Sequence, residues 1–389
     1  MLWNQILHSQ LGRTLALLAR RMWRTISFWL RGLFCWLIGV FAFFSDNPSD
    51  FDTRMDLRAP QPIRSPIVLL EFSEQDWAEL HLRDHNVVGP LKDIVSFSDS
   101  LYWDTKLWAK ILSLVLKDQP KAVGVSLFFS ENFHYGEMSA PENSIFKDPR
   151  IFWSADLDSS GRPLLPSFAT HLNRNLGVRG VRPDEDGVIR RFHSALAHIP
   201  HLSVRLTEQF QAKQKISQLE SKPETASEES QLINFMGPSG TFPKIGLQEI
   251  LSENVPKDFF KDRIVIIGTT SASFANPDFP QQAPQQDWFL TPVGKLSRAE
   301  VLANIADNLL GKKWIRKFSN TFYFTLLFLL MLLSVWIIRD YPQSVALVFF
   351  VWVGTLLAAL SAWVFDSFFF WIPIRAPVFQ LGATYIVFL

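Results

Sequence analysis

Four apolar runs, one near the start of the chain and three at its end, decide what this sequence can fold into. Ile26 to Phe44 (ISFWLRGLFCWLIGVFAFF) is 19 residues long, and Thr321 to Ile338, Ser344 to Phe365 and Phe368 to Leu389 are each of 18 to 22. About 20 apolar residues in a helix cross a hydrocarbon core of about 30 Å. The connections Arg339 to Gln343 and Asp366 to Ser367 are too short to hold a domain. The last three runs are therefore expected to form an antiparallel bundle, and with the first run they give four transmembrane helices, at 26–44, 321–338, 344–365 and 368–389. Residues 45–318 remain for one globular unit.

Charge orients this arrangement. Arg13, Arg20, Arg21 and Arg24 precede the first run with no acidic residue among them, and the positive-inside rule then keeps the N-terminus in the cytoplasm. Arg31 lies early enough in the run for its stem to carry the guanidinium back to the interface. Cleavage of a signal peptide needs small residues where Phe43 and Phe44 stand, so the run reads as an uncleaved anchor. Residues 1–25 place Ile6, Leu7, Leu11, Leu15, Leu18 and Met22 at helical spacing, which predicts an amphipathic segment along the inner membrane surface. An even number of spans returns the C-terminus to the cytoplasm. Lys312, Lys313, Arg316 and Lys317 would then lie outside and speak for the opposite orientation. The acid-free N-terminal arginines are the clearer signal, and a basic collar suits lipid head groups on either face. Pro373, Arg375 and Pro377 make the first turns of the last run irregular.

Between the spans the pattern is that of a single mixed α/β domain. Pro66 to Phe72 (PIVLLEF) reads as a short buried strand, followed by a capping pair at Ser73 and Asp76. Asp104 caps a helix carrying Leu107, Ile111, Leu114 and Val115 on one face, which stops at Pro120. Lys121 to Phe129 is a second buried strand, and the strand–helix–strand spacing predicts parallel neighbours. Next come an alternating strand from Val188 to Ala197, a helix after Pro200, a strand around Leu232 to Phe235 and the apolar strand Arg263 to Gly268. Ser297 with Glu300 is a capping box opening a helix through Leu310. Residues 211–231 (QAKQKISQLESKPETASEESQ) read as a polar surface insertion.

Few residues carry chemistry. Lys plus Arg (38) nearly balances Asp plus Glu (37), and the basic clusters flank apolar runs, which excludes a nucleic-acid binder. Cys35 is the single cysteine, so no internal disulfide framework and no thiolate zinc site can form. His81 and His85, with Asp84 beside them, could share a helical face but have no third ligand at a diagnostic spacing. His198 and His201 flank a proline. Pro183 to Gly187 sets Asp184, Glu185 and Asp186 before a glycine without meeting the calcium-loop pattern, and reads as a turn. Gly237, Pro238, Ser239 and Gly240 lack the following Lys and Ser/Thr of a phosphate loop and also read as a turn. With no Gly-x-Ser-x-Gly elbow, the reading is of no enzyme, no metal and no cofactor in the residues present.

A series of blocks, in order, resembles the second CHASE family (cyclase- and histidine-kinase-associated sensing extracellular domain, type two), from about Phe51 to Leu389. They are DTRMDLR (Asp52 to Arg58), PIVLLEF, and GVSLFFSEN (Gly124 to Asn132), where Ser126 stands in place of the family's usual Asp. PDEDGVIRR comes next, with Asp184, Asp186, Gly187, Arg190 and Arg191. LINFMGPSGTFPKI, with Gly237, Gly240, Thr241 and Pro243, is the most specific. FKDRIVIIGT contributes Gly268, and AEVLANIADNLL contributes Asn304 and Asn308, with Leu302 replacing a frequent His. These twelve numbered Asp, Gly, Arg, Thr, Pro and Asn residues are the structural motif positions that the resemblance supplies. Ligand-binding residues stay unassigned.

The resemblance implies a bacterial receptor of the inner membrane with a periplasmic or extracellular sensing domain and both termini in the cytoplasm. Its partners would be membrane lipids, a periplasmic protein or small-molecule ligand, and a cytoplasmic effector of cyclase or kinase type. That effector is expected beyond Leu389 or in a partner, because the chain ends within an apolar segment. Such effectors work as dimers, so a homodimer or larger complex is expected. The alternative is an envelope scaffold with no effector.

Overall fold

The computed structural model describes residues 10–44, 49–73, 76, 105–127, 144–157, 161–165, 175–196, 198–215, 230–270 and 288–389. In chain order its elements are α1 (Gln10–Phe44), α2 (Ser49–Leu57), β1 (Ile67–Phe72), α3 (Thr105–Lys117), β2 (Ala122–Val125), β3 (Ile151–Leu157), β4 (Pro163–Leu164), β5 (Leu176–Val178), β6 (Arg191–Phe192), β7 (Ala195–Leu196) and β8 (Ile199–Pro200). Then come α4 (Leu202–Lys215), β9 (Gln231–Leu232), β10 (Lys244–Gly246), α5 (Leu247–Leu251), β11 (Ile264–Thr269), β12 (Trp288–Thr291), β13 (Gly294–Ser297) and α6 (Arg298–Gly311). The last are β14 (Arg316–Lys317), α7 (Asn320–Asp340), α8 (Gln343–Phe368), β15 (Phe370–Trp371) and α9 (Arg375–Phe388). The chain divides into an α/β unit, Met55–Ile315, and a helical unit made of Met1–Arg54 and Arg316–Leu389.

The α/β unit is built on a sheet in the order β10-β1-β11-β2-β3-β5, parallel at every pairing, with β4 added antiparallel to β3. Successive side chains on a strand alternate faces, and a parallel sheet buries both. Val68, Leu70, Phe72, Val123, Val125, Val265 and Ile267 accordingly pack with α3 and α5. Ile67, Leu69, Ala122, Ile264 and Ile266 pack on the opposite face with α4 and α6. The strand–helix–strand expectation is corrected in one respect. β1 and β2 are parallel but not neighbours, because β11 lies between them. All six residues of β11 are buried, and a strand with no polar face belongs in the middle of a sheet.

Local expectations hold where the signal is chemical. The Ser73 N–H donates to Asp76 Oδ2 at 2.7 Å and the Asp76 N–H to Ser73 Oγ at 3.2 Å. Ser297 and Glu300 form the reciprocal capping box of α6. The single strand expected over Val188 to Ala197 is instead broken into β6 and β7, because its partners change along its length: Ile189 bonds Leu290, Arg191 pairs with Leu232, and Ala195 pairs with Pro200. α4 takes in Ala212 to Lys215, so the polar insertion begins later than residue 211; residues 216–229 lie outside the described residues, as do Asp104 and His81 to His85.

Among the described residues three helices are long and apolar enough to cross a membrane: Ile26–Phe44, Asn320–Asp340 and Gln343–Phe368. Two boundaries differ from expectation. α1 is continuous over 35 residues, so the helix that contains the candidate span Ile26–Phe44 begins before it, at Gln10. The last apolar run gives a helix of only 14 residues beginning at Arg375, about 21 Å at 1.5 Å per residue. Pro373 cannot donate to a helix and restricts the residue before it, so the backbone stays irregular from Phe369 to Ile374. Its polar groups are satisfied within the unit, as a backbone away from water requires. The Arg316 N–H donates to the Phe369 carbonyl at 2.8 Å, Ser361 Oγ to the Ile372 carbonyl at 2.8 Å, and Tyr323 Oη to the Pro373 carbonyl at 2.5 Å.

At Gly268 α6 packs close against the sheet. A Cβ built there would lie 2.8 Å from both Ala299 Cβ and Ser126 Oγ. Gly268→Val is expected to destabilise the α/β unit by about 3 kcal/mol through overpacking, read as a lowered urea midpoint of tryptophan fluorescence in the full chain; an unchanged midpoint contradicts this placement.

Candidate functional site

The polar residues buried in the α/β unit concentrate on α6. Glu300, Asn304 and Asn308 are spaced by four and so share one face of that helix. Each is buried, and each reaches the backbone of the segment 234–240. Asn308 Oδ1 accepts from the Asn234 N–H at 2.8 Å while its Nδ2 donates to the Asn234 carbonyl at 2.9 Å. Asn304 Oδ1 accepts from the Met236 N–H at 2.8 Å. Glu300 Oε1 accepts from Ser239 Oγ at 2.9 Å and from the Gly240 N–H at 2.6 Å, and Oε2 accepts from the Ser297 N–H at 2.9 Å.

The match is geometric. Four helical residues rise about 6.0 Å and two extended residues about 6.6 Å, so side chains at 304 and 308 meet alternate peptide groups, those of 236 and 234, on one edge. The other edge is also filled. The Ile233 N–H donates to the Arg190 carbonyl and Arg58 donates to the Phe235 carbonyl, while on the first edge, before Asn234, the Ile315 N–H donates to the Leu232 carbonyl at 3.2 Å. This corrects the strand expected over Leu232 to Phe235. Only Gln231–Leu232 pairs as a strand, because beyond it carboxamides take the place of a neighbouring strand.

Gly237, Gly240, Thr241 and Pro243 shape the next turn. Thr241 N–H donates to the Pro238 carbonyl at 3.2 Å, with Gly240 at φ +85°, a conformation glycine adopts at no steric cost. At Gly237 a Cβ would lie 2.6 Å from Thr241 Oγ1 and 3.1 Å from Pro60 Cβ. The Pro243 carbonyl accepts from the Leu69 N–H at 2.9 Å. The Gly240 N–H, which a phosphate loop would offer to its ligand, is taken here by the Glu300 carboxylate.

PDEDGVIRR forms a second closed cluster. Arg190, 2% exposed, donates through Nη1 to Asp184 Oδ2 at 3.1 Å and Asp186 Oδ1 at 2.8 Å, and through Nη2 to Asp186 Oδ2 at 2.6 Å. The bidentate hydrogen bond to Arg190 holds the Asp186 carboxyl down at about 2. Gly187, at φ +81°, closes the turn with its N–H on the Asp184 carbonyl, and Arg191 lies 3.5 Å from Asp184. The Asp184 and Asp186 carboxylates thus accept from the guanidinium of Arg190. Among the described residues no group of three or more His, Cys, Asp or Glu is placed to hold a metal ion.

Of the motif positions, Asn304 and Asn308 lie on α6, Gly237, Gly240 and Thr241 in the segment beside it, and Gly268 against its first turn, while the Arg190 cluster connects through the Ile233–Arg190 bond and the Arg191–Leu232 pairing and Pro243 bonds β1. Sequence reasoning missed the pair Arg179–Asp156, bonded at 2.7 and 3.0 Å. Burial pushes the Asp156 carboxyl up, but the Arg179 and Arg298 guanidinia outweigh it and hold it below the usual range. No periodicity links two residues 23 apart. His198 is a turn residue at φ +65°; His201 is buried with its pKa pushed down to about 3, chiefly by burial.

This is a sensor fold whose polar interior fixes one helix, and a family model for the CHASE2 domain matches residues 30–337. The chain belongs to the CHASE2 family, whose members are extracellular sensory domains of signalling receptors rather than catalytic domains. No curated protein and no solved structure matches the chain.

Asn308→Ala leaves the Asn234 N–H and carbonyl without partners, at about 1–3 kcal/mol for each buried group. It is expected to accelerate hydrogen exchange at Asn234 while leaving exchange in β11 within twofold; unchanged exchange at Asn234 contradicts the ladder. Acid probes the Arg190 cluster. Because the Asp186 pKa is depressed in the folded state, its contribution to stability is present above the unfolded carboxylate value of about 3.9 and is lost as pH falls toward about 2. Asp186→Asn is expected to flatten that part of the stability–pH curve, and a curve parallel to wild type refutes the pairing.

Proposed function

We propose that this chain is the sensory module of a bacterial transmembrane receptor, detecting a periplasmic ligand or protein and passing the signal through its helices to a cytoplasmic effector. On this reading α9 completes a four-helix membrane module with α1, α7 and α8. A signal requires an element that both sides can bias, because a ligand shifts an equilibrium only by its differential affinity for two states.

The observation that supports the reading lies in the helical unit. The residues that lead into and out of the sensor domain both rest on the segment Phe369–Ile374, between α8 and α9. On the leading side Asp50 Oδ2 accepts from Trp371 Nε1 at 3.2 Å and from the Ile374 N–H at 3.3 Å, and Phe51 meets Trp371 and Phe365 edge-on. On the returning side Arg316 and Lys317 pair in parallel with Phe370 and Trp371, and the Lys317 ammonium lies 4.2 Å from the centre of the Trp371 ring. A displacement of either connection acts on the same six residues. The cytoplasmic effector would receive it through the inner ends of the helices.

The orientation is tested by fusion. A reporter active only outside the cytoplasm, inserted near Ser221, is expected to be active, and the same reporter after Leu389 silent. The reverse pattern places the α/β unit in the cytoplasm and overturns the proposal.

A further inference from the structure

Gln380 is a fully buried polar side chain on α9 of the helical unit. Its Nε2 donates to the Leu327 carbonyl of α7 at 2.8 Å. Its Oε1 has no hydrogen-bond partner among the described residues and points at Gly39 of α1: a Cβ built at Gly39 would collide with Oε1 and lie 3.1 Å from Gln380 Cβ and 3.2 Å from Cδ. Gly39 stands on one face of α1 with Cys35 and Gly32. Cys35 is buried, with Thr384, one turn beyond Gln380, beside its thiol; Thr384 Oγ1 donates to the Gln380 carbonyl at 2.7 Å. A Cβ at Gly32 would lie 2.9 Å from Val335 Cγ2 of α7. Small residues admit close helix approach in lipid, and polar side chains there hydrogen-bond across helices.

We propose that Gln380 is a positioning residue that locks α1 to α7 inside the membrane, with its amide nitrogen fixed on α7 and its stem and oxygen seated in the notch at Gly39. α1 precedes the sensor domain in sequence and α7 comes after it, so a side chain joining them sets their register. Only a residue without Cβ admits Gln380. A shift of α1 by one position brings Ile38 or Val40 toward the seat, and either fills it. The lock therefore favours this register and resists a shift of α1 by a single residue. Its role in signalling rests on the function proposed above, whereas the lock itself is a statement about helix contacts.

Cys35, the single cysteine of the chain, reports on the lock directly. The full chain in mild detergent is treated with N-ethylmaleimide below its melting temperature, and each variant's rate is compared with wild type at the same pH. Gln380→Met keeps the bulk and loses the donor; measured interhelical hydrogen bonds in lipid correspond to a rate increase of about three- to twentyfold. Gln380→Glu carries the hydrogen bond only while protonated, so its rate is expected to match wild type at pH 6 and to rise at pH 9, a dependence that mere loss of packing does not produce. Gly39→Ala is expected to accelerate the reaction in the wild-type background and much less when combined with Gln380→Ala, since both act on one contact. A wild-type rate for Gln380→Met, or a Gln380→Glu variant without pH dependence, overturns the lock; if Gln380→Met does not fold, the Gln380→Glu profile and the Gly39→Ala pair decide. Failure here leaves the signalling proposal standing, and failure of the fusion test leaves the lock standing.

Discussion

The edge between α6 and residues 234–240 governs how the α/β unit is organised. A segment that leaves a strand pairing inside a protein still has peptide groups to satisfy, and each left unpaired costs about 1–3 kcal/mol. Asn304 and Asn308 supply those partners from a helix. Because their amides offer both donors and acceptors, one residue can serve an N–H and a carbonyl of the same residue, as Asn308 does at Asn234. Glu300 extends the row and also closes the capping box of its own helix. The bonds run between side chain and backbone, so they constrain the identity of the helix residues while leaving the segment's own side chains free to pack: Phe235 and Met236 are buried.

That constraint was visible in the sequence in part. Glu300, Asn304 and Asn308 recur every four residues in AEVLANIADNLL, placing polar groups on a single face of a helix otherwise rich in Ala and Leu, and a capping box fixed where the helix begins. The position of their partners was not visible, because a hydrogen bond to backbone leaves no mark on the partner's residue type. For that reason Leu232 to Phe235 read as a strand. The sheet was legible where burial on both faces produced continuous apolar runs, as in IVLLEF and IVIIGT. Its order was not, since β1 and β2 carry the same kind of pattern whether or not β11 lies between them.

The helical unit shows the same division. Lengths of apolar runs located α7 and α8 to within a few residues. In the last run the irregular start expected from Pro373 takes up the residues before Arg375, where the helix begins. These form the irregular segment Phe369–Ile374, and an irregular backbone needs partners from elsewhere. Ser361, Tyr323, Asp50 and the Arg316 N–H provide them.

Those partners differ in kind, and the difference bears on how a signal would pass. On the returning side the bond joins backbone to backbone, Arg316 N–H to the Phe369 carbonyl, so substitution at either residue leaves it in place. On the leading side one carboxylate, Asp50, holds both the indole of Trp371 and the N–H of Ile374. Further back, the Ile315 N–H bonds Leu232, whose neighbours are held by Asn304, Asn308 and Arg190. The returning connection thus has a backbone bond at Arg316, whereas the leading one is held by side chains, the Asp50 carboxylate and the Phe51 ring. If the chain signals as proposed, the contacts of Asp50 and Phe51 are the part of this junction that a side-chain substitution weakens most directly, since the bond at Arg316 runs between backbone groups.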